Sequence, residues 1–332
     1  MKRNIIVVGV GGMGGVWTAA VAGSTRWKAA AYVDTNKDHL AAATRQYGVP
    51  KTRCYTNLDK ALADVEADAL IDVTPQQFRK GVCQAAFARG LHVLSEKPLA
   101  DTLRNAQAIV KSAAKANRTY MVAQNYRFQP ATQTARRLAQ HGTIGPIGYI
   151  GVSFHKGPRF GGFREEMAYP LVLDMSIHHI DMIRCITGCD IVSVQATSVN
   201  APWNWNKGDA TVMAQFVLDN GCAVNYFGSW VAQGAETSWN ADWRFAGASG
   251  TLEWTNDVLR VSHADGAAKR VPLVKMPVQH QAYLLEAFAQ SLDTGEEPKT
   301  SGARNLNSLA ATHAVVRAIK EDRRVCVRDM LA

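Results

Sequence analysis

The first part of the chain alternates short apolar runs with amphipathic stretches. Residues 5–8 form a continuous β-branched run, the pattern of a strand buried on both faces, and they lead into Gly9-Val10-Gly11-Gly12-Met13-Gly14. A helix follows to about residue 22, then a strand over 29–33, helices over 37–47 and 58–63, and a strand over 69–72. A helix over 79–89, a strand over 92–94, a helix over 103–115 and a strand over 120–123 complete the series. This alternation predicts an α/β unit over residues 1–123, a doubly wound parallel sheet of the Rossmann type with helices on both faces.

Beyond residue 124 the texture changes. Strand-like segments at 147–155, 191–200, 211–218, 222–230, 243–246 and 251–254 are separated by Gly, Asn or Asp. They predict a C-terminal α+β domain over 124–332 with a mostly antiparallel open sheet. Helices are expected over 173–186, over 281–292 with a Leu285, Phe288 and Leu292 stripe, and over 306–320, the last packing back on the domain junction.

With 332 residues, 47% hydrophobic and 20% charged, the chain supports two domains and excludes a disordered, collagenous or disulfide-stapled protein. No apolar run reaches the roughly 18–20 residues of a membrane span, so no membrane partner is expected. Lys2-Arg3 and the apolar stretch after them imitate a secretory signal. Five glycines (Gly9, Gly11, Gly12, Gly14 and Gly15) interrupt that stretch, which is read instead as the first strand and turn. The six cysteines form no CxxC pair, and a chain of this size needs no staples, so reduced thiols and a cytoplasmic location are expected. The net charge of 37 − 28 = +9 favours anionic small molecules. The cations are scattered and no nucleic-acid-binding signature is present, so no nucleic-acid partner is expected.

Gly9-x-Gly11-x-x-Gly14 follows a strand and opens a helix, with Asp34 twenty positions after Gly14. In a dinucleotide fingerprint the first glycine permits the tight turn, the second the approach of the pyrophosphate, and the third close helix–strand packing. The helix N-terminus, with Gly12 and Met13, offers N–H groups to phosphate. Asp34 would bond the adenosine ribose hydroxyls and repel a 2′-phosphate, which favours NAD. Lys37 is near enough to leave NADP use open.

With Glu96-Lys97-Pro98 after the fifth strand, the chain resembles the Gfo/Idh/MocA oxidoreductases, which act with a nicotinamide cofactor on sugars and cyclitols. The likeness extends through Val73-Thr74-Pro75, Gln124-Asn125-Tyr126-Arg127-Phe128 and Leu173-Asp174-Met175-Ser176-Ile177-His178-His179-Ile180-Asp181. The resemblance implies a catalytic group of Lys97, Asp174 and His178, with Thr74, Pro75 and Glu96 lining the nicotinamide side. It also implies substrate contacts at Arg127 and His155. Gln76-Gln77-Phe78-Arg79 departs from the Asn and His that often follow the Thr-Pro in that family.

The residues themselves support such chemistry. Lys97 follows the C-terminal end of a strand, where doubly wound sheets bind ligands, and could hydrogen-bond a reacting hydroxyl. Asp174, His178 and Asp181 are spaced to share one helix face, and histidine suits a general base near neutrality. His179 points elsewhere and is expected to be structural. The nearby cysteines lack zinc spacing, and no metal is expected. Arg159 and Arg164 lie in a glycine-rich basic segment that could clamp an anionic group. Six tryptophans between 203 and 254 suit sugar stacking or packing of the sheet, whose open face is expected to make a homodimer or homotetramer. The expected function is an NAD-dependent dehydrogenase of a sugar or polyol, and the alternative is an NAD-dependent glycosidase.

Overall fold

The computed structural model describes residues 1–264 and 266–332. Two compact units are present, one formed by Met1–Asn125 with Pro277–Leu306 and the other by Tyr126–Met276 with Asn307–Ala332.

In the first unit, β1 (Arg3–Val8) ends at the glycine turn and α1 (Gly12–Gly23) begins there. β2 (Trp27–Val33), α2 (Lys37–Tyr47), β3 (Cys54–Tyr55), α3 (Leu58–Asp64) and β4 (Ala69–Asp72) follow. Next come α4 (Arg79–Ala88), β5 (His92–Ser95), α5 (Leu103–Lys115) and β6 (Tyr120–Val122). The strands run parallel in the order β3-β2-β1-β4-β5-β6, as a doubly wound sheet requires. Ile5, Ile6, Val7, Leu70, Ile71, Val93 and Leu94 are fully closed to solvent, which is why these strands read as apolar runs. The helix starts follow from local chemistry: Asn36, Asn57 and Thr102 each accept a backbone N–H at the head of α2, α3 and α5.

The second unit holds α6 (Pro130–Gln140), β7 (Ile147–His155), a π-helical turn (Leu171–Ser176) and α7 (Ile177–Thr187). It continues with β8 (Ile191–Val199), β9 (Thr211–Leu218), β10 (Ala223–Ser229), β11 (Asp242–Gly247), β12 (Gly250–Thr255), β13 (Val258–Ser262) and β14 (Lys269–Arg270). Among the described residues its sheet has the order β14-β13-β12-β11-β7-β10-β9-β8-β15, where β15 is Val325–Cys326. All neighbours are antiparallel except β7 and β10. One face is packed: His179 of α7 lies against the rings of Phe154, Tyr226 and Trp243. The other is open, with Tyr149 and Met213 exposed.

One expectation changes. The helix near 281–292 is α8 (His280–Thr294), and it belongs to the first unit, not to the C-terminal half. Phe288 stacks on Trp27 at 5.4 Å, and the Trp27 indole donates to the Leu285 carbonyl at 2.9 Å. The final helix α9 (Gly302–Glu321) contributes Gly302–Leu306 to the first unit and its remainder to the second. Packing of the sheet accounts for Trp230, Trp243 and Trp254, which are buried. Trp243 and Trp254 stack on one another in the core at 6.1 Å, while Trp203 and Trp239 are exposed. No helix among the described residues is long and apolar enough to cross a membrane, and all six cysteines are free thiols.

Candidate active site

The C-terminal ends of β1, β2, β4 and β5 carry the cofactor candidates of the first unit. Gly9 has φ +85°, and a Cβ there would lie 2.9 Å from the backbone of Val73. A Cβ on Gly14 would lie 2.1 Å from the Gly9 carbonyl oxygen, so α1 can start this close to β1 only with glycine there. Gly12 faces open space, Met13 is exposed, and no side chain caps α1. The first-turn N–H groups are therefore left for an incoming anion, which fits a dinucleotide pyrophosphate.

Asp34 ends β2. Its Oδ2 accepts the Val10 N–H at 2.9 Å and its Oδ1 the Asn36 N–H at 2.9 Å, which fixes the carboxylate beside the glycine turn. The Trp17 indole donates to Glu96 Oε1 at 2.8 Å, and the Lys97 N–H donates to Glu96 Oε2 at 3.1 Å. Thr74 donates both its N–H and its hydroxyl to Asp72 Oδ1, at 2.9 and 2.6 Å. The Thr74-Pro75 and Glu96-Lys97 turns are thus both held in place from within the first unit.

In the second unit, α7 enters through the π turn. Asp174 lies in that turn and His178 in the first turn of α7, so 100° per residue does not describe the step between them. Arg164 Nε donates to Asp174 Oδ2 at 2.7 Å, with the guanidinium packed over Phe163 at 4.8 Å. His178 is buried, and its imidazole is stacked on Tyr126 with centroids 4.3 Å apart. Burial, with the Asp174 and Asp257 carboxylates adding to it, pushes the Tyr126 phenol up to about 12. Tyr126 belongs to the motif over residues 124–128, which by itself gives that ring no role.

The other expected site residues of the second unit have partners of their own. Arg127 forms two bonds with Asp181, at 2.8 and 2.7 Å, and Asp181 also accepts from the Ser308 hydroxyl at 2.9 Å. This pair anchors α7 internally. His155 shares a hydrogen bond with Ser153 at 2.9 Å and packs beside Phe227 at 5.2 Å. Phe154 takes the packed face against His179, so strand alternation turns His155 to the open face, away from α7. Arg159 is exposed and lies over the Trp205 ring at 4.1 Å. His179, expected to be structural, is fully buried, bonded to the Tyr226 hydroxyl at 3.1 Å and to the Trp239 carbonyl at 3.2 Å.

Known proteins match along most of the chain. Residues 3–124 match the model of an oxidoreductase family with an NAD-binding Rossmann fold, and residues 132–253 match the GFO/IDH/MocA C-terminal domain. A D-apiose dehydrogenase of Paraburkholderia graminis is 27% identical over 322 residues, covering 91% of this chain and 84% of that one. A 1,5-anhydro-D-fructose reductase of Ensifer adhaerens is 24% identical over 314 residues, covering 91% and 92%. The crystal structure of an Agrobacterium radiobacter oxidoreductase in complex with NAD+, L-tartaric acid and magnesium aligns over 100% of both chains with a TM-score of 0.92 at 22% identity. That likeness is one of fold.

Proposed function

The chain belongs to the Gfo/Idh/MocA oxidoreductase family, and we propose that it oxidises a ring CHOH group of a sugar or polyol, cyclitols included, with NAD. The observation that carries this reading is in the second unit, where a buried His178 is stacked on Tyr126 and Asp174 is held by Arg164. The relatives fit the same chemistry, one being a dehydrogenase and the other a reductase of a carbohydrate.

In this reading the His178 imidazole takes the proton of the reacting hydroxyl. The Lys97 ammonium donates a hydrogen bond to the same oxygen and offsets the negative charge that develops on it. Asp174 accepts a bond from a neighbouring hydroxyl, and Arg164 fixes that carboxylate. Arg159 remains the candidate contact for an anionic substituent. Bound NAD supplies the hydride acceptor at its nicotinamide, so the CHOH carbon loses a hydride and its oxygen a proton. Gly9, Gly11, Gly12, Met13 and Gly14 would hold the pyrophosphate, Asp34 the adenosine ribose, and Thr74, Pro75 and Glu96 the nicotinamide side. The Asp34 carboxylate favours NAD over NADP by repelling a 2′-phosphate. A second copy of the chain docking on the open sheet face belongs to the same reading.

The test is purified protein with NAD+ and a panel of free sugars, cyclitols and chromogenic glycosides, read for NADH absorbance and aglycone release together. Steady NADH formation on a free sugar or cyclitol is expected. Aglycone release that needs NAD+ and yields no net NADH would replace this reading with the glycosidase.

A further inference from the structure

His39 is the third residue of α2 and lies outside the glycine fingerprint. Its Nδ1 is 3.1 Å from Asp34 Oδ2, the same oxygen that accepts the Val10 N–H. Its ring also lies against the second fingerprint glycine: a Cβ on Gly11 would stand 3.0 Å from His39 Cε1 and 3.1 Å from Nδ1. The imidazole therefore fills the corner between the end of β2 and the glycine turn, where a Rossmann unit holds the adenosine ribose. A carboxylate only accepts, so in the neutral ring Nδ1 carries the hydrogen and Nε2 is an acceptor, which becomes a donor on protonation. The side chain is 48% exposed.

We infer that His39 sets the choice between NAD and NADP. As a neutral imidazole it aligns Asp34 for the ribose hydroxyls and leaves the carboxylate charge to repel a 2′-phosphate. As an imidazolium it offsets that charge and gives a 2′-phosphate a cationic donor, so NADP affinity rises relative to NAD as pH falls. The other ionisable groups of the surrounding segments are Asp34 itself, Lys28 and Tyr32 on β2, Cys54 and Tyr55 on β3, and Lys37, Asp38, Arg45 and Tyr47 on α2, while α1 has none. Histidine is the side-chain type whose charge ordinarily changes between pH 5 and 8. The 2′-phosphate also titrates in that range, with a second pKa near 6, so the test has to separate the two.

This inference rests on Asp34 as the ribose ligand, and it is tested by binding, independently of any sugar substrate. Calorimetric Kd values for NAD+ and NADP+ are compared across about pH 5.5 to 8.5 for the wild-type chain, His39→Gln and His39→Arg. The Kd(NADP+)/Kd(NAD+) ratio of the wild type is expected to fall toward acid pH by roughly tenfold more than that of His39→Gln, the worth of one charge-assisted contact. His39→Arg, with a fixed charge, is expected to show the low ratio already at the alkaline end. Equal falls in wild type and His39→Gln would assign the titration to the phosphate and overturn the proposal, as would an unchanged alkaline ratio in His39→Arg. Tighter binding of NADP+ than NAD+ by the wild type at every pH would instead overturn the Asp34 reading, and this proposal with it.

Discussion

Arg79 donates its Nε to the Asp72 carboxylate at 3.2 Å, with both side chains closed to solvent. The same guanidinium reaches the Thr74 carbonyl at 2.7 Å and bonds to the Pro98 carbonyl. One buried ion pair thus ties the turn after β4 to the turn after β5, the two that carry Thr74-Pro75 and Glu96-Lys97. Burial raises the Asp72 carboxyl above its usual range, while Arg79 and the Thr74 donors pull it back down. Arg79→Met would leave that carboxyl buried without its counter-charge. Urea unfolding is expected to show a loss of about 3–5 kcal/mol, and a loss below about 1 kcal/mol would remove the strut role.

The proposed reading gives Lys97 and His178 their main roles in the chemistry of the reacting hydroxyl, with Lys97 also beside the bound cofactor. Lys97→Met and His178→Ala are each expected to lower kcat by roughly 10²–10⁴-fold. Kd for NAD+, measured by calorimetry, should stay within about threefold in both variants, a change under 1 kcal/mol. Loss of NAD+ binding in a folded variant would contradict the assignment.

In the proposed reading Arg164 acts through Asp174, to which it is bonded. Its side chain is 34% exposed, so the pair adds little stability and Arg164→Ala should shift unfolding by under about 1 kcal/mol. Its effect belongs in kcat/KM, lowered by roughly tenfold, the worth of about one charge-assisted hydrogen bond of 1.5 kcal/mol. Arg164→Lys should recover part of that loss, whereas an unchanged kcat/KM in Arg164→Ala would separate Arg164 from the site.

Burial holds His179 down at about 4, against the hydrogen bond to the Trp239 carbonyl. The unfolded chain, with an ordinary histidine near 6.5, takes up this proton first as pH falls. The contribution of His179 to stability is therefore complete above about pH 6.5 and is lost toward pH 4, by about 3 kcal/mol at most. Unfolding free energies measured across that window should fall less steeply for His179→Gln than for the wild type. Parallel curves would mean that His179 does not enter folding as the neutral ring.

Much of this architecture was legible because local chemistry and global fold agree. The bounds of α2 follow from the Asn36 cap and from Gly48 in the left-handed region at its end. The apolar runs of β1 and β4 read as buried strands because both faces are in fact covered. The helix α6 went unread because its buried face is Ala131, Thr132, Thr134 and Ala135, small and polar side chains that make no apolar stripe.

The site was legible as motifs and not as partnerships. Arg79 stands in a stretch read only as a departure from the family pattern, and its partner Asp72 ends a strand. His155 alternates with Phe154, and only the fold shows which of the two faces α7. No periodicity announces the π turn that carries Asp174, and nothing in the glycine motif points to His39.

The most direct test of the central claim is isotope tracing on the substrate found in the panel, carrying deuterium on the carbon of the oxidised CHOH group. The account predicts one deuterium in the accumulating NADH, at C4 of the nicotinamide by mass spectrometry, and none formed by His178→Ala above background. Product formation that releases the deuterium to water and leaves the nicotinamide unlabelled would contradict it.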